Sequence, residues 1–132
     1  MTEKVLIVTA VVLLAYAALL GYPITMIRSK GAAAAPRYLM LAHTGAPLEA
    51  AILLGLVWAV QLSTLGSGWE KAAAWLAAIG SVAIVLMNTL NWLTGVQDAF
   101  AEKAKTIPLA VFGAAAQTIG IGIFLVGVLE AV

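Results

Sequence analysis

The chain has 132 residues, 64% of them hydrophobic and only 10% charged, with a net charge of +1 and a mean hydropathy of +1.07. Soluble domains carry about 25% charged residues, so this deficit belongs to the membrane class. Near-neutrality implies no nucleic-acid partner, and the absence of cysteine excludes disulfides, thiolate metal sites, Fe–S clusters and covalent c-type haem attachment.

Apolar runs of about 20 residues are long enough to cross roughly 30 Å of hydrocarbon. Four occur, at about Val5–Ile27, Tyr38–Leu62, Ala72–Val96 and Ile107–Glu130. They predict one all-α membrane domain over residues 1–132. The first run has Tyr16 and Tyr22 as polar points, the second of these near Pro23 and suited to the interface. Ala15-Tyr16-Ala17 imitates a signal-cleavage site, but the basic n-region is weak, so the run is read as a retained span.

The second run contains the only histidine. His43-Thr44-Gly45-Ala46-Pro47-Leu48-Glu49 lies embedded in apolar residues. Placing an ionisable side chain in a span costs at least ~2.5 kcal/mol on insertion scales, so two within six residues need a reason. The Pro47 ring clashes with the carbonyl four residues back, that of His43, which predicts a bend there. Gly45 eases that bend and leaves room for something flat beside the imidazole. Histidine is a common haem and metal ligand, but a buried histidine bonded to a neighbouring helix is an equal reading of the residues alone. At 100° per residue, Glu49 lies about 120° around the helix from His43 and should not touch it. Its reading is divided between a protonated carboxyl bonded to an amide on another helix and a catalytic or relay group.

In the third run Asn88, Asn91 and Gly95 share a face, with Trp92 beside them. Interhelical amides often act as glue; one asparagine is expected to do so and the other to line a pocket, with nothing in the sequence to say which. The fourth run carries a small-residue stripe, Gly113, Ala116, Gly120 and Gly127, interrupted by Gln117. Such stripes let helix backbones approach closely.

The connections are short, which makes consecutive spans antiparallel neighbours in an up-down four-helix bundle. Arg28, Lys30, Arg37, Lys103 and Lys105 flank the first and third connections, against Lys4 and Lys71 on the other side. That bias places the first and third connections in the cytoplasm, and a bacterial inner membrane is the expected location. Four short spans enclose too little interior for a haem-sized ligand, so a shared site in a homo-oligomer is expected.

Ala42-His43-Thr44-Gly45-Ala46-Pro47-Leu48-Glu49-Ala50 resembles the Ala-His-Ser-Gly-Pro-Ala-Leu-Asn-Gly pattern of the styrene oxide isomerase family, small four-span membrane enzymes that bind haem b. The likeness runs from Arg37 to Gly66, about a quarter of the chain, with a weaker echo in Gly80-Ser81 opening the third span and in Asn91. The resemblance implies that His43 is the single axial ligand of haem b iron, with Gly45 and Pro47 shaping the cofactor side. It implies a homotrimer, a small hydrophobic epoxide substrate, and an isomerisation to an aldehyde by a 1,2-shift at a Lewis-acidic ferric iron. Glu49, Asn88 and Asn91 become the catalytic candidates. Two departures stand out. Glu49 replaces the family's substrate-holding asparagine, and no tyrosine follows Tyr38 where the family has one late in its third helix. Two other readings therefore stay open: a membrane haem b protein that carries electrons or senses a gas, and a proton or solute channel relaying through His43 and Glu49. A bis-ligated electron carrier would need Met26, Met40, Met87 or a second subunit to complete the iron.

Overall fold

A computed structural model describes all 132 residues as four helices and no strands: α1 (Thr2–Ser29), α2 (Arg37–Leu62), α3 (Ser67–Leu93) and α4 (Ile107–Leu129). Each is long and apolar enough to cross a membrane. The ends differ from the sequence reading mainly in α3, which starts at Ser67 and stops at Leu93. Glu70 in the first turn complements the positive end of the helix dipole, which lets Trp69 to Lys71 join the helix. Gly80 and Ser81 consequently lie mid-helix and not at its opening.

The stop has a clear cause. Gly95 adopts φ +74°, its N–H bonds the Trp92 carbonyl, and the Val96 N–H bonds the Asn91 carbonyl at 2.9 Å. This is a Schellman closure, which needs the left-handed conformation that glycine adopts without a Cβ penalty.

Consecutive helices pack together, as do α1 with α3 and α2 with α4, while α1 and α4 do not meet. The cross-section is thus a rhombus with α2 and α3 on its short diagonal. The ends confirm the antiparallel sense. Ser63 to Gly66 folds back onto the end of α4, with the Thr64 N–H on the Gly127 carbonyl at 3.2 Å. At the opposite end the Ala99 N–H donates to the Tyr38 hydroxyl at 2.9 Å.

Small residues set the spacing along the diagonal and beside it. Leu6, Ala10 and Leu13 of α1 pack against Ala46, Ala50 and Leu53 of α2 and Ala73, Ala74 and Ala77 of α3. The α4 stripe faces α3: a Cβ added at Gly80 would stand 2.6 Å from the Gln117 backbone nitrogen, and one at Gly120 would stand 2.7 Å from the Ala73 carbonyl. The stripe expected to be available for close approach is therefore used inside the chain. Large apolar side chains such as Leu19, Leu48, Trp58, Trp75 and Leu125 point outward, as a bilayer-facing surface requires.

Candidate functional site

His43 sits in the second turn of α2 and turns toward α1. Its Nδ1 lies 2.8 Å from the Ala17 carbonyl oxygen. A carbonyl can only accept, so Nδ1 carries a proton, and in the neutral tautomer Nε2 holds the lone pair. Nε2 makes no hydrogen bond, and no partnerless side-chain polar atom is sealed from the surface, so Nε2 is open at the side of the bundle. Gly21, one turn beyond Ala17, adds no side chain there; a Cβ on it would stand 3.9 Å from the imidazole Cε1. Gly45 likewise faces open space. Pro47 lies inside a helix that continues on both sides of it.

This is the bond to a neighbouring helix that the sequence allowed, and it is also the way metal-ligating histidines are commonly held. A ring nitrogen donated to a carbonyl fixes both tautomer and ring orientation, and the other nitrogen is presented to the metal. No three His, Cys, Asp or Glu side chains converge in this chain, so it builds no multidentate ion site. The imidazole lines neither the cleft beside Trp75 and Phe112 nor the one beside Asn88.

Glu49 is 7% exposed and faces the opposite part of the bundle. Its Oε2 accepts from the Ser81 hydroxyl of α3 at 2.9 Å and from the Gln117 amide of α4. The same Gln117 amide reaches the Ser81 oxygen at 3.1 Å. One carboxyl thus ties α2, α3 and α4 together at mid-bundle. His43 and Glu49 share no partner, and no hydrogen-bond chain runs between them. The Gln117 amide is the kind of partner expected for Glu49, whereas the Ser81 hydroxyl is not anticipated by the sequence. The signal was present in Gln117, a lone amide in a membrane span that had to find a buried partner.

The two asparagines separate cleanly. Asn91 is 0% exposed and engaged at both amide atoms: its Nδ2 donates to the Met87 sulfur at 3.1 Å and its Oδ1 accepts from the Thr106 hydroxyl. It fastens the end of α3 to the start of α4. Asn88 is 9% exposed and its side chain has no hydrogen-bond partner. It lines a cleft of about 250 Å³ between α2, α3, α4 and the α3–α4 connection. Asn91 is the glue and Asn88 the pocket residue.

That connection is tightly organised. Asp98 accepts the Phe100 and Ala101 N–H groups at 3.0 Å each, and Glu102 accepts those of Gln97 and Asp98. The Ala101 N–H bond holds the Asp98 carboxyl below the usual aspartate range; burial opposes it, and the Phe100 N–H bond and the nearby Arg37 charge add to the lowering. Elsewhere Tyr16 donates to the Thr89 hydroxyl at 2.7 Å, because the Thr89 proton is given to the Val85 carbonyl. Tyr22 is exposed near the end of α1.

No family model, curated protein or solved structure matches the chain.

Proposed function

We propose that the protein is a membrane haem b protein of the styrene oxide isomerase type, with His43 as its single axial ligand. The observation that carries this reading is the His43 Nδ1–H bond to the Ala17 carbonyl, which leaves Nε2 free at the bundle surface. Ferric haem with one protein ligand supplies a Lewis-acidic site able to polarise an epoxide oxygen. What the chain contributes is the rest. α1 fixes the imidazole through Ala17, and the small residues Gly21 and Gly45 keep bulk away from both sides of the ring. The bend expected at Pro47 would tilt the first turns of α2 and with them the ring. The surrounding apolar surface keeps water from the reacting face, so an opened epoxide rearranges in preference to being hydrated.

His43 opens at the side of the bundle, and a second copy there would cover a haem-sized face. The α4 stripe is spent on α3, and this reading puts the contact on the outer face of α1 and α2, where His43 opens. A homotrimer is the assembly this reading takes, in a bacterial inner membrane.

The hydrogen-bond pattern supports this reading over a relay channel, since His43 and Glu49 engage different helices with no bonded path between them. Haem-loaded protein in detergent should convert styrene oxide to phenylacetaldehyde. His43→Ala should lose the activity and Pro47→Ala should lower it. Full haem loading without turnover would leave the electron-carrier or gas-sensing reading in its place.

A further inference from the structure

The cleft lined by Asn88 has a chemistry of its own. It lies at the end of the bundle where α2 begins and α3 ends, and includes Arg37, Leu41, Asn88, Phe100 and Ile107. Asn88 stands five residues before the end of α3, about 8 Å below that end at 1.5 Å per residue. Nearly every other polar group around the cleft is already engaged. The Tyr38 oxygen takes the Ala99 N–H, Thr106 donates to Asn91, and Asp98 caps Phe100 and Ala101. Arg37 is at the exposed rim, its guanidinium 5.6 Å from the centre of the Tyr38 ring.

An amide buried to this degree normally has a partner, because an unmet donor or acceptor costs free energy. Both amide atoms of Asn88 stay accessible while making no bond, and the cleft is where a partner can reach them. Arg37 and Asp98 bring opposite charges to the rim, close enough that the Arg37 charge acts on the Asp98 carboxyl. They offset one another, so the mouth selects neither anion nor cation. At about 250 Å³ the cleft is below the roughly 300–1,000 Å³ that houses drug-sized ligands.

We infer that this cleft is a binding site for a small neutral molecule, apolar over most of its surface, whose single oxygen function hydrogen-bonds the Asn88 amide. The inference does not rest on His43 or on haem. It places the ligand's oxygen deep, at the amide, and its hydrocarbon against Leu41, Phe100 and Ile107.

Three probes with the same aromatic skeleton separate the possibilities: 2-phenylethanol, ethylbenzene and phenylacetate. Binding to the full chain in detergent is measured by saturation-transfer NMR titration, and partition into micelles cancels in comparisons between variants. Wild type should bind 2-phenylethanol more tightly than ethylbenzene. Asn88→Leu, close in volume, should weaken the alcohol by about two- to tenfold, the range of one neutral hydrogen bond, and leave ethylbenzene unchanged. Ala110→Phe, which fills the cleft from α4, should weaken both and serves if Asn88→Leu does not fold. The proposal is overturned if neither variant changes 2-phenylethanol binding, if wild type binds none of the probes, or if phenylacetate binds best and loses that advantage in Arg37→Gln.

Discussion

The residue that sequence reading placed most fully is His43, and the part it could not supply is the partner. Position in a span and the neighbouring proline are local facts, whereas the Ala17 carbonyl is 26 residues away and is chosen by how α1 and α2 pack. The same limit explains Asn88 and Asn91. Both occupy one face of α3, and only the arrival of Thr106 decides which is engaged. Glu49 was legible as a residue in need of partners, and the structure supplies Ser81 and Gln117. Removing one donor leaves the carboxyl short of a bond in a buried setting, so Gln117→Leu should destabilise by about 1–3 kcal/mol. That exceeds the ~0.6 kcal/mol average for membrane hydrogen bonds because both donors converge on one oxygen. Detergent-unfolding curves of Gln117→Leu indistinguishable from wild type would refute the tie. Asp98 titrates below its ordinary range in the folded connection, so the stability it contributes is present above the unfolded value and fades as pH falls through the lower folded one. Acid should therefore loosen residues 94–106 before the helices, and Asp98→Asn should remove that pH step in hydrogen exchange of the Phe100 and Ala101 amides.

At the scale of elements, the four spans were plain from hydropathy because lipid imposes length and apolarity on each one. Their ends were less plain, since they depend on local closures. Gly95 was read as a member of the Asn88 face, while the positive φ it adopts makes it the stop of α3. The Gly113 to Gly127 stripe was correctly read as a close-approach surface, but periodicity does not say whether the partner lies in the same chain. The approach of Gly80 to the Gln117 backbone is tight enough to test. Gly80→Ala puts a methyl 2.6 Å from that nitrogen, which only separation of α3 from α4 can relieve. Overpacking of this kind costs about 1–3 kcal/mol, and the shift should also weaken the Ser81–Gln117–Glu49 cluster one residue away. Gly122→Ala, which meets nothing within 4 Å, is the matched control and should unfold like wild type.

For the whole molecule, the rhombic packing leaves α1 and α4 at opposite corners. The polar features consequently fall into three places: His43 on the α1–α2 side, Glu49 at the centre, and Asn88 at one end. Composition and hydropathy made the membrane bundle readable, while the distribution of these sites follows from packing order, which four similar apolar helices do not encode locally. The proposed assembly places the α1–α2 face between subunits. Native mass measurement of haem-loaded protein should give three chains, and a monomer retaining its haem would contradict that arrangement. The central claim, that His43 Nε2 is the axial ligand, is tested most directly by the optical spectrum of apoprotein titrated with haem b. Wild type should develop a Soret band that saturates with added haem and shifts when imidazole or azide takes the open position. His43→Ala, with unchanged helical circular dichroism, should leave the spectrum of free haem in detergent. An undiminished, saturable Soret band in His43→Ala would contradict the account.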